Sequence, residues 1–388
     1  MSAINSIHFL KNKTILIISP QSWGKMFVSK HHYATELAKC GNTVYFLNPP
    51  DPSLEDRINI SEEKNFPGLY IISHRIFFPY DIKFHAIPIF HWLMKWQVKK
   101  IIKKMGAVPD IIWSFDLGNL YPFRLFTFNS LKIFHPVDEP LNSTAIDSAK
   151  NAQVIFSVTP EILDKYKHYK IPSFVINHGI SNTFLGESGT IKKDNNNIQI
   201  GFSANMIRED IDRETLLKIV RENPDHNFNF WGNYDSKNTN LGESGSNAEG
   251  FINELKNEKN VILNGAVSTI ELAQSFRAMD AFLICYDINK DQSKGTNYHK
   301  VLEYISTGRV VISNNITTYK YKPSLVQMVE ERDHNKMLPE LFKKITHELP
   351  LYNSLLLEQE RKTFAANNTY LKQIERIDSI LINKIIIN

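Results

Sequence analysis

A lysine and a glutamate three residues apart, Lys300 and Glu303, stand inside the stretch Asn297–Asn314, NYHKVLEYISTGRVVISN. Val301, Leu302 and Ile305 supply the apolar side of a short amphipathic helix, Gly308 stops it, and Val310–Ser313 reads as a buried strand. On such a helix the ammonium and the carboxylate share one face. Presented together near the edge of a parallel sheet they suit a nucleotide, the ammonium meeting phosphate and the carboxylate accepting from ribose hydroxyls. The competing reading is a surface ion pair on an ordinary helix, an interaction that is common and weak.

Glu303, followed by Gly308 and then Val310-Val311, resembles the donor-nucleotide segment of GT-B glycosyltransferases. The amino-terminal half carries a companion pattern. Ser19-Pro20, then Ser29-Lys30-His31-His32 leading into Ala34–Lys39, Gly41 and Val44–Pro50 resemble the first β–α–β unit of those enzymes. Asn177-His178-Gly179-Ile180 resembles their interdomain segment, with His178 inserted. Taken in order, these motifs span nearly the whole chain. The resemblance implies an α/β chain of GT-B type, two doubly wound Rossmann-like domains facing a central cleft. The carboxylate of Glu303 would then hold the donor ribose.

Open α/β sheets bind ligands beyond the carboxyl ends of their strands. Donor groups are therefore expected at Gly201–Asn205, Trp231–Asn233, Gly265–Val267, Tyr286 and the loop before Lys300. Ala266 and Val267 resemble the segment that reads the base edge through main-chain groups. Arg208 could pair with a diphosphate or be a solvated loop arginine. The loop Ser293–Asn297, ending at Asn297, could wrap the diphosphate with backbone amides. Many retaining members of the fold carry an acid eight positions before the ribose glutamate; here that position is Gly295.

An inverting reaction needs a general base on the acceptor side. Asp138 in FHPVDEPLN follows an apolar run and emerges at a strand's carboxyl end. It resembles the acidic site of inverting bacterial enzymes similar to the xanthan glucuronosyltransferase, which also have a His-rich first helix and a strand ending in Asn-Pro-Pro. The neighbouring Glu139 could take the role instead, and a helix N-cap is the structural alternative for Asp138. His31 and His32 open the first helix, where an amino terminus favours anions, and could bind the donor phosphate or the acceptor. Asp116 is a further acceptor-binding candidate.

Continuous apolar runs at Thr14–Ser19, Thr43–Leu47, Leu69–Ser73, Asp110–Ser114, Lys132–His135, Gln153–Val158 and Ser173–Ile176 predict buried parallel strands. The alternation restarts at Ile198–Phe202 and continues through Asn227–Trp231, Asn260–Leu263, Asp280–Cys285, Arg309–Ser313 and Gln327–Glu330. The polar stretch 186–197 reads as the linker. Domains are expected at 1–186, for the acceptor, and 198–364, for the nucleotide sugar. The resemblance implies that a tail of about 365–388 packs back on the first. The Asn-, Ser- and Gly-rich stretch 235–250 reads as a mobile loop.

Helical wheel positions over Phe90–Met105 place Phe90, Met94, Val98, Ile101, Ile102 and Met105 on one face. Opposite lie Lys95, Lys99, Lys100 and Lys103 with Trp92 and Trp96, a mixture that suits an anionic membrane surface. The alternative is that Ile89 and Phe84 cover the indoles. No window approaches the length of a spanning helix, and the start MSAINSIHFLKNK lacks a signal-peptide apolar region. A net charge of +4 argues against a general nucleic-acid binder, and Cys40 and Cys285 read as buried reduced thiols. The expectation is a cytoplasmic bacterial enzyme, peripheral at the inner membrane face. It would move a sugar from a uridine diphosphate donor to a glycan or polyprenyl-linked acceptor in surface polysaccharide synthesis, with inversion and without cofactor or metal. The alternatives are a sugar-nucleotide epimerase of the same fold, for which Gly295 fails to supply an acid, and a non-catalytic nucleotide-sugar sensor or scaffold.

Overall fold

The computed structural model describes residues 7–24, 27–186, 197–235, 248–333 and 335–386. Most of the expected linker and most of the stretch 235–250 lie outside the described residues. The chain divides into two compact units: one runs to Gly179 and resumes at Tyr370, and the other is Ile180–Thr369.

The first unit is built on an eight-stranded sheet. Its strands are β1 (Thr14–Ile18), β2 (Thr43–Leu47), β3 (Ile58–Glu62), β4 (Leu69–His74), β5 (Ile111–Ser114), β6 (Leu131–Phe134), β7 (Val154–Ser157) and β8 (Ser173–Val175). They lie in the order β3-β4-β2-β1-β5-β6-β7-β8, all parallel except β3. Strands β5 and β7 are buried along their whole length because apolar clusters cover both faces of the sheet. The antiparallel β3, INISE, is mostly exposed on the edge, and its polar run gave no strand signal in the sequence.

The helix Tyr370–Ile380 belongs to this unit, and Tyr370, Ile374 and Ile377 pack in one core with Ile15, Ile17 and Trp113. Its buried Asp378 accepts from the backbone N–H groups of His8 (2.9 Å), Phe9 (2.9 Å) and Leu10 (2.6 Å), tying the two ends of the chain together.

The second unit holds six parallel strands in the order β11-β10-β9-β12-β13-β14. These are β9 (Ile198–Ser203), β10 (His226–Trp231), β11 (Val261–Gly265), β12 (Ala281–Ile284), β13 (Val310–Ser313) and β14 (Val326–Met328). The run read as a buried strand at Asn260–Leu263 is an edge strand that is only half-buried. Residues 180–186, assigned by sequence to the first domain, lie with this unit: Ile180 donates its N–H to the Asn368 carbonyl at 2.9 Å and Phe184 packs on Phe276.

Both sheets reverse their strand order at a central strand, β1 between β2 and β5 and β9 between β10 and β12. Each central strand is pinned by an aspartate that precedes its neighbour: Asp110 accepts from the Thr14 N–H at 2.8 Å and Asp280 from the Gln199 N–H at 2.9 Å. Ligands of doubly wound sheets bind at such switch points, beyond the carboxyl ends of the strands.

Candidate functional site

In the second unit the helix Lys300–Ile305 opens beside the switch strand. The Lys300 ammonium does not pair with Glu303. It donates to the Ser203 carbonyl at the end of β9, at 2.6 Å, and to the Tyr286 hydroxyl that follows β12. The Tyr304 hydroxyl accepts from the Ser203 N–H at 2.7 Å, and its ring stacks on Phe282 at 4.4 Å. Burial lowers the Lys300 pKa, opposed by Tyr304, Glu303 and Asp210. An ammonium has three N–H donors, so one remains for a ligand.

Glu303 is half-buried and makes no hydrogen bond or ion pair through its carboxylate among the described residues. Burial raises its pKa to about 7, against the opposing charge of Lys300. The ion-pair alternative therefore fails: Lys300 is turned toward the sheet, and Glu303 is left as an unoccupied acceptor.

The loop before this helix is braced from inside. The Asp291 carboxylate accepts from the N–H of Ser293 (3.0 Å) and of Gly295 (2.8 Å), and from the hydroxyls of Ser293 (2.6 Å) and Tyr298 (2.6 Å). The Lys294 N–H goes to the Asp291 carbonyl and the Thr296 N–H to the Ser293 carbonyl. The N–H groups of Ser293, Lys294, Gly295 and Thr296 therefore bond within the loop, and a diphosphate would reach them only by displacing those bonds. Gly295 sits at φ +65°, where a Cβ would come within 2.8 Å of the Asn315 carbonyl oxygen, so the turn itself excludes an acidic side chain there. Asn297 is buried at the end of this loop.

Arg208 is neither simply solvated nor held open for phosphate. Its guanidinium pairs with the buried Asp210 at 2.7 Å. Ala266 and Val267 are exposed just past β11.

In the first unit, Asp138 lies in the loop after β6, exposed and without a hydrogen bond or ion pair among the described residues. The helix Ser143–Asp147 is capped by Asn142, which accepts from the Ala145 N–H at 2.9 Å, so Asp138 is not an N-cap. Glu139 turns inward and pairs with Lys165 at 3.6 Å. Of the two acids, Asp138 is the one left open to a ligand.

One expectation is corrected here. His31 is occupied by the backbone: its Nδ1 accepts from the Val28 N–H at 3.1 Å, leaving Nε2–H to donate to the Ser22 carbonyl at 3.0 Å. It shapes the start of the helix Ser29–Lys39 and has no nitrogen left for a ligand. Asp116 accepts from the N–H of Gly118 (2.7 Å) and Leu120 (2.9 Å), one on each carboxylate oxygen, and so braces its own loop. Its pKa is raised by burial and eased downward by those amides.

His32 stacks on Tyr370 at 4.6 Å, and burial lowers its pKa to about 4, so it is neutral at pH 7. His178 gives its carbonyl to the Gln373 side-chain amide at 3.0 Å, an anchor for the carboxyl-terminal helix. Lys30, quoted in the sequence only as part of the pattern Ser29-Lys30-His31-His32, is only 3% exposed, beside Asp116 and Asp138.

Along Ile87–Met105 all six residues assigned to the inner face are buried. Trp92 and Trp96 are 60% and 48% exposed, and Phe84 and Ile89, the proposed covers, are themselves 70% and 54% exposed. Lys95, Lys99, Lys100 and Lys103 are exposed on the same outer side. Among the described residues no helix is long and apolar enough to cross a membrane, and no cluster of three or more His, Cys, Asp or Glu is placed to hold a metal.

No family model matches the chain, and no curated protein matches it. Solved structures do. Sucrose-phosphate synthase from Thermosynechococcus elongatus is 13% identical, with 96% of this chain and 98% of that one aligned at a TM-score of 0.67. An alpha,alpha-trehalose 6-phosphate synthase from Burkholderia multivorans is 9% identical, with 96% of each chain aligned at 0.70. Anabaena HepE, solved in complex with UDP and glucose, is 10% identical, with 96% of this chain and 100% of that one aligned at 0.64. At such identities the likeness defines the fold. The chain has the GT-B architecture, two Rossmann-like domains on parallel sheets.

Proposed function

We propose that this protein is a glycosyltransferase that takes a sugar from a uridine diphosphate donor bound at the second unit. The observation that carries the reading is Glu303: a half-buried carboxylate without a partner among the described residues, next to an ammonium with a donor to spare, at the switch point of a parallel sheet. A ribose diol and a diphosphate match that pair in chemistry and order. HepE, whose fold is shared, was solved with UDP and glucose, which supports the same donor class.

Asp138 is assigned the base. An acceptor hydroxyl attacks the anomeric carbon, its proton passes to the Asp138 carboxylate, and the bond to the diphosphate breaks with the charge leaving on phosphate. Inversion follows from a single displacement. Lys300 stabilises the leaving diphosphate through its remaining N–H. His32 and Glu139 are left with binding and structural roles. Arg208 would reach phosphate only by leaving Asp210, and the exposed main chain at Ala266 and Val267 is the proposed contact for the base edge. No cofactor or metal enters this scheme.

The exposed Trp92 and Trp96 among Lys95, Lys99 and Lys103 support contact with an anionic membrane, which suits a polyprenyl-linked glycan acceptor, a bacterial surface polysaccharide as product and a place at the inner membrane face. A thermal-shift screen of the full chain against nucleotides and nucleotide sugars tests the reading. A ligand at ~100 times its dissociation constant adds about 2.7 kcal/mol. A uridine diphosphate sugar should give the largest shift; no shift with any nucleotide would overturn the proposal.

A further inference from the structure

The acid assigned the base stands on a loop with almost no bonds of its own. Residues 135–142, HPVDEPLN, join β6 to the helix Ser143–Asp147. Pro136 and Pro140 bring no N–H, and the N–H groups of Val137, Asp138, Glu139 and Leu141 have no acceptor among the described residues. No turn bond therefore closes across Asp138, which stands exposed between the two buried prolines. The geometry of such a loop has to come from side chains that reach it from elsewhere.

Two side chains do so. Lys165 pairs with Glu139 at 3.6 Å, but the lysine is exposed and such a pair is weak. Ser157, the last residue of β7, is fully buried and donates its hydroxyl to the Pro136 carbonyl at 2.7 Å. The register explains the contact. Strands β6 and β7 pair Ile133 with Val154 and Phe134 with Ile155, so Pro136 comes level with Ser157 two residues further on. The ladder has ended there, Pro136 has no N–H to extend it, and the serine hydroxyl ties the two strand ends together instead. On the other side of Pro136, the buried His135 ring packs on Phe115 and Tyr33 and accepts at Nδ1 from the Trp113 indole N–H at 3.4 Å.

We infer that Ser157 is the positioning residue for Asp138: its hydroxyl, through the Pro136 carbonyl, sets where the carboxylate meets the acceptor hydroxyl. The inference rests on the reading of Asp138 as the base. Asp138 lies two residues beyond Pro136 and makes no hydrogen bond or ion pair among the described residues, so a shift of the Pro136 carbonyl carries through to the carboxylate. Misplacing a reacting group by about 1 Å costs about a hundredfold in rate. No proton moves through Ser157; it acts on geometry alone.

The test measures release of uridine diphosphate by the full chain from the uridine diphosphate derivatives of glucose, galactose, N-acetylglucosamine and glucuronate, with a lipid extract of the source cells as acceptor. Four proteins are compared: the unaltered chain, Ser157→Ala, Asp138→Asn and the double variant. Ser157→Ala should lower turnover by about tenfold to a hundredfold. Its affinity for uridine diphosphate, read by calorimetry, should not change. In the Asp138→Asn background the same substitution should change turnover by less than about twofold, because residues that act as a unit are not additive. Unchanged turnover in Ser157→Ala, an equal loss in both backgrounds or a matching loss of nucleotide affinity overturns the inference; the last two would mark a general loosening of the fold.

If Ser157→Ala fails to fold, Ser157→Cys takes its place with the same expected losses, since the thiol is close in size and only a weak donor. Failure of the base reading looks different: Asp138→Asn would keep full turnover, which removes the group through which Ser157 acts. No release by the unaltered protein overturns the transfer reading and this inference with it.

Discussion

Two lysines, each in the first turn of a helix beside a switch strand, have opposite fates. Lys300 is held by the Ser203 carbonyl and the Tyr286 hydroxyl, in a setting further fixed by Tyr304 and by Asp291 in the preceding loop. Lys30 is largely buried and makes no hydrogen bond or ion pair among the described residues. The two sheets share a plan down to the aspartates that pin their central strands, so the difference lies in the loops. The second unit carries a site assembled in advance, with one acceptor, Glu303, left over for a ligand. The first carries Lys30 and Asp138, neither of which makes a hydrogen bond or ion pair among the described residues. Preassembly suits tight recognition of one constant molecule, and open groups suit a reacting one.

The comparison breaks most visibly at Asp138. Asp138→Asn should lower turnover by about two to four orders of magnitude, as for loss of a general base, with donor affinity nearly unchanged. Glu139→Gln should instead lower thermal stability, since its partner Lys165 loses its counter-charge, while turnover stays within severalfold. Full activity in Asp138→Asn would end its assignment as the base, and retention of anomeric configuration by NMR would end the single-displacement scheme.

Next in size is the membrane face. Lysines near an anionic surface contribute about 1 kcal/mol each and are screened by salt. Replacing Lys95, Lys99 and Lys103 with Glu should abolish binding to anionic liposomes without unfolding the protein. Trp92→Ala with Trp96→Ala should weaken binding to neutral and anionic vesicles alike. A collapse in melting temperature for the tryptophan pair would mean that the indoles serve the core.

Lys300→Ala sharpens the contrast between the lysines. It should weaken uridine diphosphate more than uridine and also lower stability, because the Ser203 carbonyl and the Tyr286 hydroxyl lose their donor. Lys30→Met should cost less stability, since the Lys30 ammonium makes no hydrogen bond or ion pair among the described residues. Equal destabilisation by both substitutions would erase the distinction.

The smallest expected effects are in pH. Glu303 has a folded pKa of about 7, above its ordinary value of 4.5. The folded state therefore holds the extra proton, and this contribution to stability is complete below about 4.5 and lost as pH rises through about 7. Glu303→Gln should flatten that part of the stability profile. The histidines act with the opposite sign. His32 and His74 are depressed to about 4 and His135 to about 3, so their contribution is complete above 6.5 and falls away as pH drops through those values.

The strands were legible because a parallel sheet buried on both faces demands unbroken apolar runs such as Thr14–Ile18 and Ala281–Ile284. The edge strand β3 was not, since an exposed edge places no such demand on INISE. At the site, the helix carrying Lys300 and Glu303 could be read from local spacing. Their partners could not, because Ser203 and Tyr286 reach Lys300 across 97 and 14 positions of sequence. The pairing of His31 with the Val28 N–H, the commitment of Asp116 to its own loop and the burial of Lys30 all depend on how the chain folds around them.

The central claim is that Glu303 is an acceptor kept for a nucleotide. Calorimetric titration of uridine diphosphate into the unaltered chain and Glu303→Ala at pH 8, where the carboxylate is ionised, tests it most directly. The substitution should weaken binding by roughly 1.5–3 kcal/mol, the worth of a hydrogen bond to a charged group, without lowering the melting temperature of the free protein. Equal affinity in the two proteins would remove Glu303 from the site and contradict the account.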